Sequence, residues 1–327
     1  MPTPIERVVL VTKSSRLAEL LDRYCGRDRV RFVIESRGES FAEYEAEDDR
    51  WRMATDRLRA AIPREIAHTV ISRAYIPTEL FRPTDLVMTI GPDGLVANAA
   101  KYLDGPPILA VNPDPDRIDG TIARFSPDAA IAVLPRLLRG QYRTDPLTIA
   151  MATTNDGQVA YAANDFLVGR RDTVSARYRL GVGNGPDVVA SERQSSSGVL
   201  VTTGLGSTAW ATSIVSSAFA IAAVMVGFGT GEDLRGELRV QQEFEVPYPW
   251  SARHLLFFVR EAFPTRSTSA RQCFGRIEET GVLVITSEMP DGGAIFSDGV
   301  VEDALPFLAG TTVTIRPADR VAQLIRP

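Results

Sequence analysis

Residues 85–94 read Asp-Leu-Val-Met-Thr-Ile-Gly-Pro-Asp-Gly, a short apolar run that ends in a glycine-bearing turn. Apolar runs of this length, rich in aliphatic residues, are typical of strands buried on both faces of a parallel sheet. The small and apolar residues from Leu95 to Leu103 then indicate a helix. Strand, turn and helix in this order predict one βα unit of an open α/β domain.

The same alternation continues on both sides of this stretch. The other predicted strands are Arg7–Thr12, Val30–Ile34 and Pro107–Asn112, and the predicted helices lie at 17–24, Trp51–Ala61 and Ala130–Arg139. Ser14 or Ser15 is placed to cap the first helix. Alternating strands and helices with right-handed crossovers predict an N-terminal α/β domain with an open parallel sheet over residues 1–140.

The pattern changes near residue 140, after which short strands and turns dominate. The predicted strands include Val159–Ala162, Thr173–Leu180, Gly198–Thr203, Val282–Ser287 and Thr312–Arg316. One clear helix follows Gly206-Ser207-Thr208 and extends to Gly227. A run of strands after a run of βα units predicts a second domain over residues 141–327, β-rich and sandwich-like.

The composition is that of an ordinary globular protein, with 44% hydrophobic and 24% charged residues among 327. A net charge of -5 argues against a nucleic-acid-binding protein, which usually carries a basic surplus. Cys25, Cys273, His68 and His254 are the only cysteines and histidines. They are too few for a disulfide framework or a thiolate metal site, so no protein-held metal is expected.

Nothing in the sequence predicts a membrane protein. The N-terminus enters an apolar strand directly, without the apolar core of a signal peptide. The longest apolar run, Ala218–Phe228, is about half the ~20 residues that a membrane span needs. We therefore expect a cytoplasmic protein with no membrane partner.

The turn at Gly91-Pro92-Asp93-Gly94 has the features of an anion site. Ligands of open α/β sheets bind at the carboxyl ends of the strands, and the N-terminus of the following helix favours negative charge. An aspartate in such a turn can orient or deprotonate an attacking hydroxyl. Taken alone, Pro-Asp-Gly is also a common strand–helix connection.

A second turn, Thr203-Gly204-Leu205-Gly206-Ser207-Thr208-Ala209-Trp210, is rich in glycine and hydroxyls and opens a helix. It suits an anion or a ribose, although it matches neither the Walker A motif nor the dinucleotide fingerprint. The alternative is a helix start capped by Ser207 or Thr208. Asn164-Asp165 and Phe296-Ser297-Asp298-Gly299 by themselves indicate turns, the latter a type I′ hairpin turn.

These segments, in this order, resemble the ATP-NAD kinase family. That family has a Gly-Gly-Asp-Gly-Thr loop, an Asn-Glu pair, a Thr-Gly-Ser-Thr-Ala-Tyr turn and a late Asp-Gly. The corresponding stretches here are Gly91–Leu95, Asn164-Asp165, Leu205–Trp210 and Asp298-Gly299. The likeness is closest to the mitochondrial-type NAD kinases and their bacterial relatives, through Val11-Thr12-Lys13, Val111–Arg117, Ser196-Ser197-Gly198, Val259-Arg260-Glu261 and Ser269–Cys273.

The resemblance implies an N-terminal α/β domain and a C-terminal β-rich domain with the dinucleotide between them. It implies that Asp93 is the catalytic carboxylate near the 2′-hydroxyl of NAD. The implied dinucleotide-binding residues are Gly91, Gly94, Leu95, Asn164, Asp165, Gly206, Ser207, Thr208, Ala209 and Trp210. ATP with Mg²⁺ as the phosphate donor, NAD as the substrate and a homodimer are also implied.

The loop departs from the family at two positions. Pro92 replaces a glycine and removes a backbone N–H, and Leu95 replaces a threonine and removes a hydroxyl. Loss of two donors to a phosphate weakens binding, at ~1.5–3 kcal/mol for each bond to a charged group. Two alternatives to an NAD kinase therefore stay open: a catalytically impaired relative that binds a dinucleotide as a sensor or regulator, and a related kinase acting on a sugar or lipid hydroxyl.

Overall fold

The computed structural model describes residues 4–184, 187–188, 191–227, 229–233 and 245–327. The chain divides into two compact units. The first unit contains Met1–Asp145 and Ala322–Pro327, and the second contains Pro146–Val321.

The first unit is a parallel α/β structure. Its strands are β1 (Arg7–Thr12), β2 (Ala67–Ser72), β3 (Asp85–Ile90) and β4 (Pro107–Val111), and its helices are α1 (Arg16–Tyr24), α2 (Arg27–Glu35), α3 (Phe41–Ala60), α4 (Asp93–Ala100) and α5 (Pro127–Leu138). The strands lie in the order β2-β1-β3-β4, and each neighbouring pair is parallel. Every residue of β3 and β4 is buried, as their apolar sequences predict.

Residues 30–34 are helical, so the predicted strand Val30–Ile34 is wrong. They belong to α2, where Val30 and Ile34 are buried one turn apart in a cluster with Leu17 and Phe41, while Phe32 is 73% exposed. A short β-branched run also fits one face of a helix, and packing against α1 and α3 decides between the two. The helix predicted over Trp51–Ala61 starts earlier than expected, because α3 begins at Phe41.

The second unit begins within β5 (Thr144–Thr154) and is rich in antiparallel strands. The others are β6 (Val159–Ala162), β7 (Asp165–Arg170), β8 (Ala176–Asn184), β9 (Asp187–Val188), β10 (Glu192–Ser196), β11 (Gly198–Thr202), β12 (Leu255–Arg260), β13 (Phe274–Ile277), β14 (Gly281–Ser287), β15 (Gly293–Ser297), β16 (Val300–Pro306) and β17 (Thr312–Ile325). One sheet has the order β10-β8-β14-β17, and the other has the order β13-β12-β11-β7-β15-β16.

Both sheets of the second unit contribute to one hydrophobic core. Phe166 and Val201 from one sheet lie in the same buried cluster as Tyr178, Leu283 and Ile315 from the other. Alternate residues of β7, β8, β11 and β14 belong to this cluster, as expected where two sheets pack face to face. The predicted class, an open parallel α/β part followed by a β-rich, sandwich-like part, is confirmed.

The helix of the second unit, α6 (Trp210–Met225), covers part of one sheet. Its first half packs against Leu200 and Leu256, whereas Val224 and Met225 near its end are about 80% exposed. Among the described residues, the helical stretch Gly206–Val226 has the length and mean hydropathy, 1.8, of a membrane span. Length and composition alone do not place it in a membrane, so the expectation of no membrane partner stays a prediction. Phe228, the end of the predicted apolar run, lies outside the described residues.

The last residues of the chain return to the first unit. Gln323 and Leu324, at the end of β17, pair with Pro107 and Ile108 of β4. Ala322–Pro327 therefore lie with the α/β part, although they fall within the predicted second domain, residues 141–327. This pairing joins segments more than 200 residues apart, which no local pattern indicates.

Candidate functional site

The strand order of the first unit brings two turns together. β1 lies between β2 and β3, so the chain reverses its direction across the sheet at the β1–β3 pair. Thr12, the last residue of β1, is in register with Ile90, the last residue of β3. The turns that follow, 13–15 and 91–94, therefore start side by side at the carboxyl edge, where open α/β sheets bind ligands.

The Asp93 carboxylate is engaged within this edge. Its Oδ2 accepts a hydrogen bond from the N–H of Thr121 at 2.9 Å, and its Oδ1 accepts from Ile122 at 3.0 Å and Ala123 at 2.8 Å. Asp93 thereby fixes the segment that follows β4. The sequence predicts only a catalytic role for Asp93, because nothing local links residue 93 to residues 121–123.

The glycine turn offers fewer donors than a phosphate loop needs. The N–H of Gly91 bonds to the Val111 carbonyl at 3.0 Å, and Pro92 has no N–H. Leu95 is 2% exposed, and its N–H bonds to the Pro92 carbonyl at 2.9 Å. The Leu95 side chain therefore packs in the core, and a contact of this residue with a ligand stays a prediction. At Gly94 the space beside Cα is open, with nothing within 4 Å of an added Cβ.

Lys13 supplies positive charge at the same edge. It lies directly after β1, and its Nζ is 3.8 Å from Glu19 Oε1, with the side chain 35% exposed. Helix α1 begins nearby, where Ser15 Oγ accepts from the N–H of Ala18 at 3.1 Å, as an N-cap does. Lys13 and the N-terminal ends of α1 and α4 thus lie at one edge with the carboxylates of Glu19 and Asp93, and the lysine and the helix N-termini are the groups there that favour an anion.

In the second unit, Asp298 fixes the Asn164-Asp165 turn. Its Oδ2 accepts from the N–H of Ala163 at 3.0 Å, and its Oδ1 accepts from Asn164 at 2.7 Å and Asp165 at 3.2 Å. Asp298 and Gly299 have positive φ angles of 52° and 70°, as in the predicted type I′ turn. The role of Asp298 was missed, since by itself the turn is only a hairpin connection.

The glycine-rich turn docks directly on the same two residues. A Cβ added at Gly206 would lie 2.3 Å from the Asn164 carbonyl oxygen and 2.6 Å from Asp165 Oδ1, so only glycine fits. The N–H of Thr203 bonds to the Asn164 carbonyl at 2.9 Å. Asn164-Asp165, Gly206 and Asp298, three separate segments that carry the family resemblance, therefore meet at one place.

A cavity of about 540 Å³ opens beside this meeting point. Asn164 and Asp165 line it together with two aromatic side chains, Trp210 and Phe296. The Arg260 guanidinium lies 5.2 Å from the centre of the Trp210 ring. An aromatic face beside amide and carboxyl groups is a suitable surface for a nucleobase.

The electrostatics of Asp165 differ from those of an ordinary surface aspartate. Its Oδ1 is buried and has no hydrogen-bond partner. Burial raises the pKa of Asp165 to about 7; the Thr202 hydroxyl acts against this shift, and the charge of Asp298 adds to it. Groups with such a perturbed pKa in a cavity are candidates for a functional role.

The remaining predicted residues of the turn are structural or peripheral. Ser207 is buried, donates to the Gly204 carbonyl at 2.7 Å and accepts from the N–H of Tyr248 at 3.0 Å. Thr208 Oγ1 donates to the Leu205 carbonyl at 2.9 Å, and Thr208 and Ala209 are both exposed. Neither hydroxyl caps α6, so that prediction is wrong.

The late motif Ser269–Cys273 covers the edge of a sheet. Ser269 and Phe263 donate backbone bonds to Arg193 and Ser195 of β10, and the N–H of Gln272 donates to Glu192 Oε1 at 2.8 Å. β10 is the last strand of its sheet, so this segment protects the open edge.

Behind that edge, Tyr178 anchors the motif Ser196-Ser197-Gly198. The Tyr178 hydroxyl lies 2.7 Å from Ser196 Oγ and donates to Gln194 Oε1 at 3.1 Å, and all three residues are buried. Burial raises the pKa of Tyr178 above its ordinary range. Both motifs therefore have a structural role in the second unit.

The described residues contain no group of three or more His, Cys, Asp or Glu side chains arranged to hold a metal. Mg²⁺ in nucleotide sites is commonly bound by one or two carboxylates together with phosphate oxygens, and such a site needs no dedicated cluster.

Comparison with known proteins shows the fold. No family profile and no curated protein matches the sequence. Among solved structures, it is similar to yeast NADH kinase complexed with NADH, with a TM-score of 0.55 and 14% identity, covering 99% of this chain and 84% of that one. It is also similar to an NAD kinase from Archaeoglobus fulgidus in complex with ATP, with a TM-score of 0.52 and 15% identity, covering 98% and 93%.

The chain has the NAD-kinase fold. The similarity extends over both units, which agrees with a resemblance carried by motifs from Val11 to Gly299. The mitochondrial-type subgroup stays a prediction, because an NAD-kinase fold at this identity does not distinguish subgroups.

Proposed function

We propose that the protein is a kinase that transfers a phosphoryl group from ATP to the 2′-hydroxyl of NAD and so forms NADP. The observation that carries the proposal is the meeting of Asn164-Asp165, Gly206 and Asp298 beside one cavity. The NAD-kinase fold supports the same conclusion.

In this proposal the cavity of the second unit binds the adenosine part of NAD. Trp210 stacks on the adenine ring, and base stacking on an aromatic side chain contributes ~1–3 kcal/mol. Asn164 and Asp165 hydrogen-bond to the base and its ribose. Arg260, 5.2 Å from the Trp210 ring, keeps the indole in place through a cation–π contact.

The carboxyl edge of β1 and β3 would bind the phosphates of ATP. Lys13 would be its charged donor, and the N-terminal ends of α1 and α4 would add the favourable field of the helix dipoles. Mg²⁺ held by the nucleotide phosphates would neutralise the charge that develops during transfer. Asp93 would accept the proton of the 2′-hydroxyl, because a carboxylate has about four acceptor positions and three are used by backbone N–H groups.

The direct test is formation of NADP by the purified protein given ATP, Mg²⁺ and NAD, with NADH assayed in parallel. Asn164→Ala should raise the KM for NAD, and Lys13→Ala should raise the KM for ATP. Arg23→Ala, which removes an exposed cation of the neighbouring helix α1, is the control for Lys13. If the wild type makes neither NADP from NAD nor NADPH from NADH, the kinase proposal fails.

A second candidate is a catalytically impaired member that binds a dinucleotide as a sensor or regulator. The observation that favours it is the small number of free donors at Gly91-Pro92. Saturable binding of NAD in calorimetry without any turnover would select this candidate. Absence of binding would remove both.

We also propose that the protein is a homodimer in the cytoplasm and that it binds neither nucleic acid nor membranes. Sedimentation of the purified protein and fractionation of cells that express it test these points. Recovery with membranes would count against the location, and the exposed end of α6 is the place to look for the cause.

A further inference from the structure

A cavity of about 440 Å³ lies within the first unit, where helix α5 ends and the chain continues toward β5. Three arginines and a tyrosine are among the side chains that line it: Arg136, Arg143, Arg326 and Tyr142. The N–H of Ile5, just before β1, donates to the Leu138 carbonyl at 3.1 Å. This end of α5 therefore lies beside the start of β1, opposite to the carboxyl edge at which the proposed function places the ATP phosphates.

Backbone hydrogen bonds hold the segments that carry these arginines. Helix α5 ends at Gly140, which has a φ of 72°, and the N–H of Gln141 donates to the Arg136 carbonyl at 3.0 Å. This is the Schellman ending of a helix, which fixes Arg136 relative to the residues that follow it. The N–H of Arg326 donates to the Arg143 carbonyl at 3.0 Å. The three guanidinium groups thus extend from an ordered backbone.

Positive charge exceeds negative charge around the cavity. Residues 136–145 and 322–327 contain four arginines and one carboxylate, Asp145, although the whole chain has a net charge of -5. Asp145 Oδ1 accepts from Arg326 Nε at 2.5 Å, and its Oδ2 accepts from Arg124 Nη1 at 3.4 Å. Both oxygens of Asp145 are therefore engaged by arginines other than Arg136 and Arg143.

Arg136 and Arg143 supply the excess charge. In the part of the chain that the structure describes, neither forms an ion pair with a side-chain carboxylate, and both are exposed. Arg136 lies in the last turn of α5, where the helix end has a partial negative charge of about half a unit. One arginine more than offsets that partial charge, so the cavity keeps a positive surplus.

The groups at the cavity are those that recognise phosphate. A guanidinium group donates two parallel N–H bonds to a pair of phosphate oxygens, which gives both strength and orientation. Burial raises the pKa of Tyr142, so its hydroxyl keeps its proton and can donate as well. Leu137 adds an apolar wall, and the volume is within the range of sites for small molecules.

We propose that this cavity binds the phosphate group of a small molecule through Arg136 and Arg143, at a site separate from those proposed for ATP and NAD. The bound anion would connect the end of α5 to the segment that leads into β5. Such a ligand binds the folded protein only and therefore stabilises it. The inference does not rest on kinase activity.

Calorimetry of the whole protein at low ionic strength tests the proposal, with inorganic phosphate and phenyl phosphate as probes. Arg136→Gln and Arg143→Gln should each raise the Kd on the order of tenfold or more, because a bond to a charged group is lost. Arg139→Gln removes an exposed arginine at the same helix end, outside the cavity lining, and should keep the wild-type Kd. Lys13→Ala removes the cation of the carboxyl edge and should keep it too.

This pattern with either probe supports the proposal, and the tighter probe shows whether the ligand is the free ion or an organic ester. No saturable binding of either probe to the wild type overturns it. Equal weakening by Arg139→Gln also overturns it, because the attraction would then come from the basic surface in general. Weakening by Lys13→Ala alone would place the phosphate at the carboxyl edge and has the same consequence.

Thermal unfolding gives a second readout that does not require a measurable heat of binding. Phosphate should raise the Tm of Arg139→Gln as much as that of the wild type, and it should raise the Tm of Arg136→Gln less. Equal rises in all three proteins contradict the proposal. Formation of NADP is measured separately, so failure of this inference and failure of the kinase proposal are distinguishable.

Discussion

Asp298 Oδ1 accepts a hydrogen bond of 2.7 Å from the backbone N–H of Asn164, which lies 134 residues earlier in the chain. Asp93 makes the same kind of contact in the first unit, where its Oδ1 accepts from Ala123 at 2.8 Å. In each unit a turn aspartate thus holds the backbone of a loop that resembles, or adjoins, a family motif.

Asp298→Asn should lower the free energy of unfolding by about 2 kcal/mol, because hydrogen bonds to a charged group contribute ~1.5–3 kcal/mol each and are not additive. Asparagine tolerates the positive φ of 52°, so the loss reports the missing acceptor and not backbone strain. Urea unfolding measures it, with Asp319→Asn as the exposed control. An unchanged free energy would mean that Asp298 does not hold the turn.

Asp93→Asn should lower the free energy of unfolding by about 1–3 kcal/mol, because its amide group must face a backbone N–H that now bonds to an oxygen. NADP formation should be lost as well. The two readouts separate the roles: lost activity with full stability contradicts the structural contact, and reduced stability with full activity contradicts the catalytic one. Asp104→Asn, at an exposed position, serves as the control.

Trp210→Ala should weaken NAD binding by about tenfold to a hundredfold, since stacking of one base contributes ~1–3 kcal/mol. NAD should quench the tryptophan fluorescence of the wild type, and Trp210→Phe should remove most of that quenching. Trp51→Phe removes a tryptophan of the first unit and controls for the number of indoles. Equal quenching in all three proteins would show that the base does not contact Trp210.

Tyr178→Phe should destabilise the protein by about 1–3 kcal/mol, because it leaves the buried Ser196 and Gln194 without their hydroxyl partner. The Kd for NAD should not change. Thermal unfolding and calorimetry test these two statements, with Tyr75→Phe, at a side chain 64% exposed, as the control. A weaker Kd with unchanged stability would place Tyr178 in the binding site.

Asp165→Asn should change the dependence of stability on pH. The pKa of Asp165 is raised to about 7 in the folded protein, so between about pH 4 and pH 7 the native state retains a proton that the unfolded chain has lost. This group therefore lowers stability as pH rises through that range, and the asparagine removes the loss. The difference in Tm between the variant and the wild type should therefore be more positive at about pH 8 than at about pH 4.5.

The control for this experiment has the opposite sign. The Arg316 hydrogen bond lowers the pKa of Asp319, so its ionised form stabilises the native state as pH rises. Asp319→Asn should accordingly lower the Tm slightly at high pH, and it should not show the rise in Tm expected for Asp165→Asn. The same rise in Tm at high pH in both variants would exclude the titration of Asp165 as its cause.

Much of the framework follows from local sequence patterns. The apolar runs of β1, β3 and β4 form buried parallel strands, Ser15 caps α1, and Asp298-Gly299 makes the type I′ turn. In each case the cause lies within a few residues: continuous apolar side chains, a hydroxyl at a helix start, or backbone angles that Asp and Gly tolerate.

Where the local sequence fits two conformations or environments equally well, tertiary packing determines which one is adopted. Val30 and Ile34 fit either a strand or a helical face, and the cluster with Leu17 and Phe41 makes them helical. Leu95 follows a glycine turn and resembled a ligand contact, yet it is 2% exposed because it lies over Gly91.

The sequence by itself determined the order of strands and helices and the change from alternating strands and helices to mostly strands. It also identified the turns that carry candidate ligand-binding residues. Only the tertiary structure decided which groups those turns present. It bonds Asp93 to the backbone of residues 121–123, bonds Asp298 to the backbone N–H of Asn164, and leaves the Oδ1 atom of Asp165 buried without a donor. These contacts join residues far apart in the chain, and burial and charge act through space, so no local pattern contains them.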